Sequence, residues 1–142
     1  MRETIFGKVF LGGIKTGKLP DKVAKWMDDA MECGENFILS DENTLPIQSY
    51  LNAKNYRNVT VYHSDEVCHN NLGNWETKHI PDVTYKNEKN VALAYGCDCG
   101  VFVYERDNLP MRMAMKHLRS QGKSIFITYR STTDEFKITR RA

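Results

Sequence analysis

The chain has 142 residues, of which 41% are hydrophobic and 27% charged, and its 20 basic and 18 acidic side chains leave a net charge of +2. One domain of this size buries about 68–70% of the surface its unfolded chain exposes, enough for a core without disulfide or metal staples. The composition excludes disordered, fibrous and strongly basic classes. No apolar run reaches the roughly 20 residues that cross a bilayer, and the chain does not open on a signal-peptide core. The near-neutral balance is not the footprint of a protein that grips duplex nucleic acid, although Lys137-Ile-Thr-Arg140-Arg141 is locally basic.

In chain order, Phe6–Leu11 is an apolar run that stops at Gly12-Gly13, which reads as a strand entering a loop. Pro20 suits a helix start. Val23, Trp26, Met27, Ala30 and Met31 then repeat at helical spacing until Cys33-Gly34 ends the stripe. Residues 36–40 form a second strand. Asp41-Glu-Asn43-Thr44 is a polar break with Asn43 or Thr44 as helix cap, and Ile47, Tyr50 and Leu51 give a short helix to about Lys54. A β-branched third strand covers 58–63.

The stretch from Ser64 to Thr84 is polar and lacks periodicity, the composition of a long functional loop. A helix is expected over 85–95, a strand over 99–104, a helix from Pro110 to Gln121-Gly122, and a strand over 124–129, with Phe136-Lys-Ile138 as an edge strand. In the second of those helices Met111 and Met115 lie on the buried stripe, whereas Met113 falls off it and is the better interface residue.

Cys33, Cys68, Cys97 and Cys99 lack the spacing of a disulfide framework. Cys68-His69 could join Cys97-x-Cys99 as a zinc set, but reduced, metal-free thiols in a cytoplasmic protein are the commoner use of such cysteines. No cofactor is called for: the chain has neither a G-x-G-x-x-G fingerprint nor a Walker loop.

Strands alternating with helices imply parallel pairing through right-handed crossovers. The expected architecture is a single α/β domain over 1–142, Rossmann-like and doubly wound, with a mostly parallel five-stranded sheet covered by helices on both faces. Its core spans about 5–130, and 131–142 form a basic tail or edge strand.

In such sheets ligands sit beyond the carboxyl ends of the strands, where the strand order reverses. That rule nominates the exits Gly12-Gly13, Ser40-Asp41-Glu42-Asn43, His63-Ser64-Asp65 and Glu105-Arg106-Asp107-Asn108, with Tyr104 at the end of its strand. The paired glycines let a backbone approach a phosphate, though they equally serve a turn. Asp41 suits a ribose hydroxyl or a nucleophile, and equally an Asx turn. Arg106 can pair with phosphate; Trp75, Tyr85 and Tyr104 can stack on a base or simply pack. His63 and His69 are without an evident nucleophile partner.

Several segments together resemble the SLOG superfamily, the Rossmann-like group of nucleoside 2-deoxyribosyltransferase-like and LOG-type phosphoribohydrolase-like proteins. They are Val9-Phe-Leu-Gly-Gly13, Phe37-Ile-Leu-Ser-Asp41, Ile47-Gln48-Ser-Tyr50-Leu51, Asn55-Tyr56-Arg-Asn58-Val-Thr-Val-Tyr62, Cys68-His-Asn70-Asn71-Leu-Gly-Asn74-Trp75, Tyr85 with Lys89, Asp98-Cys-Gly100-Val-Phe-Val-Tyr104 and Gln121-Gly122-Lys123. Order and the Asn-Asn-x-Gly-x-Trp segment carry the likeness. Two ligand loops depart from the family pattern. Ser40-Asp41-Glu42-Asn43 stands where the family has Gly-Asp-Ala-x-Gly-Ala-Asp, and Asn108-Leu109-Pro110-Met111 stands where it has a small-residue loop ending in Gly-Thr.

The resemblance implies a homo-oligomer, dimeric or larger, that binds a nucleotide or nucleoside-type small molecule in a sensing or sequestering role, with the family's catalysis lost. The alternative it implies is an N-glycosidic bond enzyme. Asp41 or Glu105 would then be the nucleophile, Asp98 or Asp107 a supporting acid, and Tyr104 or Tyr85 an orienting hydroxyl. A further alternative is a protein-binding inhibitor or structural module.

Overall fold

The computed structural model describes residues 7–13, 18–80, 94, 96–104, 109–129 and 135–139, and for 104, 109, 110, 127–129 and 135–139 it describes the backbone alone. The elements run β1 (Lys8–Gly12), α1 (Asp21–Glu32), β2 (Asn36–Ser40), α2 (Leu45–Ala53), β3 (Val59–His63), β4 (Glu76–His79), β5 (Cys99–Tyr104), α3 (Leu109–Ser120), β6 (Ser124–Tyr129) and β7 (Glu135–Thr139). They build one seven-stranded sheet in the order β4-β3-β2-β1-β5-β6-β7. β7 pairs antiparallel to β6, with Phe126 opposite Ile138, and every other pairing is parallel. The α/β Rossmann-like architecture is thus as expected; beyond the five core strands it has β7, where an edge strand was expected, and β4, which was not.

Helices cover both faces. α1 and α2 share one: the Tyr50 hydroxyl donates to Asp28 Oδ1 at 2.7 Å, and Trp26 of α1 packs on Phe126 of β6 with ring centroids 5.0 Å apart. α3 lies on the other, where Met111 and Leu118 approach Gly12 and Gly100 and the Phe10 and Phe102 rings meet at 5.3 Å. Parallel register sorts these residues. Phe10 aligns with Gly100, and Gly100 with Ile125, so the three share the α3 face while Phe126 points to α1. Val9, Leu11, Phe37, Leu39, Val61, Val101 and Phe102 are completely buried between the layers, as strands covered on both sides require. Met111 and Met115 are core residues, and Met113 is only partly buried.

The three described helices stop by the same device. After α1, Gly34 takes φ +74° while its N–H reaches Met31 O and that of Glu35 reaches Ala30 O at 3.1 Å. Asn55 (φ +54°) with Tyr56, and Gly122 (φ +73°) with Lys123, repeat the pattern after α2 and α3. A left-handed residue beyond the last turn satisfies carbonyls the helix would leave open. At the other end of α2, Thr44 holds the cap position, but its hydroxyl turns back to Ser40 O at 2.6 Å and caps no helix N–H.

Two expectations change. The stretch over 64–84 contains β4, which pairs in parallel with β3 from Thr60↔Glu76 to His63↔His79. Glu76, Thr77, Lys78 and His79 are all exposed, so β4 carries no apolar alternation for a periodicity argument to detect. The helix expected over 85–95 lies outside the described residues except for Ala94, which is helical and fully buried.

Candidate functional site

From β1 the chain steps outward through β2, β3 and β4 on one side, then returns to place β5 on the other side of β1. The strand order therefore reverses between β1 and β5, and the crevice beyond their carboxyl ends is where this architecture accepts ligands. Of the expected site residues, Gly12 and Gly13 stand at that point, and Ser40, Asp41 and Asn43 stand at the neighbouring exit of β2, on the side of β1 away from β5.

Both glycines are buried, and each has a packing reason. A Cβ on Gly12 would stand 2.6 Å from Met111 Sδ, and one on Gly13 would stand 2.7 Å from Ile47 Cδ1 and 3.1 Å from the carbonyl oxygen of Asn43. Glycine at these two positions lets the first turns of α2 and α3 close on the end of β1.

Ser40 is buried; its hydroxyl accepts the Glu42 N–H at 3.1 Å. Asp41 is 1% exposed, and its own N–H continues the ladder to Tyr62 O at 3.0 Å. Its Oδ2 accepts the His69 N–H at 2.8 Å, and its carbonyl accepts Asn70 Nδ2 at 2.9 Å. Asp41 thereby fastens the segment that leaves β3 onto the end of β2. Asn43 stands exposed in the left-handed region at φ +58°.

Buried Gln48 extends this fastening. Its Nε2 donates to Thr44 Oγ1 at 3.0 Å and to Asn70 O at 3.2 Å, while its Oε1 accepts the Leu72 N–H at 3.0 Å. A side chain of α2 thus substitutes for the helix that usually covers a parallel β3-to-β4 crossover.

Three histidines gather near the exits of β3 and β4; the strand-exit rule nominates His63-Ser64-Asp65 but not its grouping with His69 and His79. His69 Nε2 lies 2.6 Å from Asp65 Oδ2, both half-exposed, and the imidazole pKa is raised chiefly by that hydrogen bond. His63 and His79 stack with centroids 5.2 Å apart. His63 Nδ1 is 2.7 Å from Asp65 O, and His79 Nε2 is 3.1 Å from Ser64 O. Carbonyl oxygens only accept, so those two nitrogens carry the protons. The i, i+4 spacing of Asp65 and His69 was the available signal; the stack depends on the register of β3 with β4 and had none.

The remaining expected residues lie elsewhere. Trp75 stands immediately before β4, at the amino-terminal end of the sheet, opposite to Gly12 and Asp41. It is 4% exposed and its Nε1 donates to Tyr56 O at 2.8 Å. Asn71 clamps it, with Oδ1 accepting the Trp75 N–H at 2.9 Å and Nδ2 donating to Trp75 O at 2.9 Å. Arg57 Nη1 donates to Gly73 O at 2.7 Å. The Asn-Asn-x-Gly-x-Trp segment is accordingly a clasp between the two ends of β3. Asp98 also stands at the amino-terminal end, where its Oδ2 accepts the Lys8 N–H at 2.9 Å and its other oxygen is 3.7 Å from Lys123 Nζ. Tyr104 is the last residue of β5, in register with Tyr129, and is described by its backbone alone. Tyr85, Glu105, Arg106, Asp107 and Asn108 lie outside the described residues.

None of the four cysteines forms a disulfide. Cys97 and Cys99 flank Asp98 at the start of β5, remote from Cys68 at the exit of β3, so the two sets do not converge on one ion. Burial, aided by Asp98, pushes the Cys97 thiol up to about 12, and burial also raises Cys99. Among the described residues no cluster of three His, Cys, Asp or Glu side chains is placed to hold a metal, and no helix is long and apolar enough to cross a membrane. No family model, curated protein or solved structure matches the chain.

Proposed function

We propose that this chain is a Rossmann-like binding domain that takes a nucleotide or nucleoside-type small molecule at the exits of β1 and β5, in a sensing or sequestering role and without turning it over. The observation that carries the reading is the reversal of strand order between β1 and β5, with the Gly12-Gly13 exit at that point. The absence of turnover is supported by Asp41, whose Oδ2 accepts the His69 N–H and whose main-chain carbonyl accepts Asn70 Nδ2. Used that way, Asp41 is a structural anchor and not a nucleophile. The reading also takes the domain as a cytoplasmic homo-oligomer with no resident cofactor.

The test is amide NMR with a panel of nucleosides, nucleotides, cyclic nucleotides and ADP-ribose. Shifts centred on Gly12, Gly13, Ser40 and Asn43 are expected with at least one class. No shift with any of them at millimolar concentration overturns the proposal. Release of free base from the same panel, abolished by Asp41→Asn, would replace it with an N-glycosidic enzyme.

A further inference from the structure

The outer strand β4 is built unlike the rest of the sheet. Parallel strands in α/β domains are buried on both faces, yet all four residues of β4 are exposed. β4 also ends the strand order. Its connection from β3 holds no helix, and that same connection carries Val67, 69% exposed, and Leu72, 45% exposed. With Leu45 at the start of α2, these are the exposed large hydrophobic residues among those described. Among the described residues no strand lies on the outer side of β4.

An open edge presents backbone donors and acceptors to any strand that can lie alongside. Charge decides which strand suits this one. Glu76 and Lys78 are two apart, so they share a face of β4. An antiparallel copy of the same strand, related by a two-fold axis through Thr77, sets each Glu76 directly opposite the other copy's Lys78. Both charges are then matched twice by symmetry, and a two-fold contact of this kind closes on itself. Sliding the pairing by two residues, with the axis through Glu76 or through Lys78, would bring like charges face to face. Lysine on an edge usually deters pairing, and here the deterrent is cancelled by one partner, a second copy in this register.

We propose that β4 is the dimer interface of the protein, joining two sheets edge to edge through Glu76–Lys78 pairs. This supplies a surface for the homo-oligomer proposed above and rests on the geometry of β4, not on the ligand. A strand of four residues lies below the area of a standard interface, so the dimer dissociates on dilution.

The test is sedimentation velocity of the full chain over a dilution series, with the variants Lys78→Glu, Glu76→Lys and the double exchange. These side chains are exposed, so each variant folds, which circular dichroism checks. Each single reversal places two like-charge pairs in the interface and weakens dimerisation by about tenfold or more. The double exchange recreates both opposite pairs and restores dimerisation to within about threefold of the parent. A parent that stays monomeric at every concentration overturns the proposal. So does a dimer that ignores the single reversals, or a double exchange that fails to restore it. A dimer of this kind that binds no nucleotide leaves the interface standing and removes the ligand reading; a nucleotide-binding monomer does the reverse.

Discussion

The carboxylate of Asp41 and the backbone N–H of His69 meet at 2.8 Å across 28 residues of chain, with Asp41 almost wholly buried. This one bond ties the exit of β2 to the segment leaving β3, and it gives a strand-end carboxylate a structural task. Asn70 doubles the tie through the Asp41 carbonyl, and Gln48 braces it from α2.

Removing the Asp41 carboxylate should therefore cost stability before it costs anything else. Asp41→Ala strands the His69 N–H and should lower unfolding free energy by about 1–3 kcal/mol. Asp41→Asn keeps an acceptor oxygen in place and should lose less. Urea denaturation of both variants measures the difference. An alanine variant as stable as the parent would mean that the bond holds nothing.

Gly73 lies so near the Trp75 indole that a Cβ would fall inside the van der Waals surface of the ring. Gly73→Ala should displace Trp75 from Tyr56 O and destabilise the domain by about 1–3 kcal/mol, with the tryptophan emission moving to the red. Gly96→Ala is the control: its Cβ would meet nothing within 4 Å, so it should fall within about 0.5 kcal/mol of the parent. Equal behaviour of the two variants would remove the clasp.

His69 should titrate above the ordinary histidine pKa of 6.5, because its hydrogen bond to Asp65 favours the protonated ring. A folded pKa raised above the unfolded value means that the pair's stabilisation is fully present below about pH 6.5. It is lost as pH rises through the folded pKa. Imidazole NMR titration should show the raised value in the parent and its return towards 6.5 in Asp65→Asn. No change on that substitution would assign the shift to the farther carboxylates, Asp41 and Glu42.

Alkylation should separate the thiols. Cys68 is half-buried near the surface, whereas burial holds Cys97 and Cys99 in the protonated, unreactive form. Iodoacetamide at pH 8 should label Cys68 in the native protein, and Cys97 and Cys99 only after unfolding. Mass spectrometry of the peptides reads the order. Early labelling of Cys97 or Cys99 would mean that the start of β5 opens readily.

Most of the fold was legible in the residues because its elements carry strong local signals. The apolar runs at 36–40, 99–104 and 124–129 are strands with the expected bounds, and the helix stops at Cys33-Gly34 and Gln121-Gly122 are read directly from glycine's freedom at positive φ. β4 escaped because Glu-Thr-Lys-His has no apolar side chain; its strand conformation comes from pairing with β3, a partner fifteen or so residues away.

The candidate site divides along the same line. That Gly12, Gly13, Ser40, Asp41 and Asn43 sit at the strand exits follows from residue types and alternation alone. What each residue does there was decided only when the chain closed on itself. Asp41 takes the His69 N–H on its Oδ2 and the Asn70 side chain on its main-chain carbonyl, partners 28 and 29 residues away that no local pattern announces. Trp75 could have been a stacking platform until Tyr56 and Asn71 claimed it at the other end of the sheet. Composition and period set which residues seek burial and which strands pair in parallel, because those depend on near neighbours. The partners of a buried polar group depend on contacts distant in sequence, and only the tertiary structure supplies them.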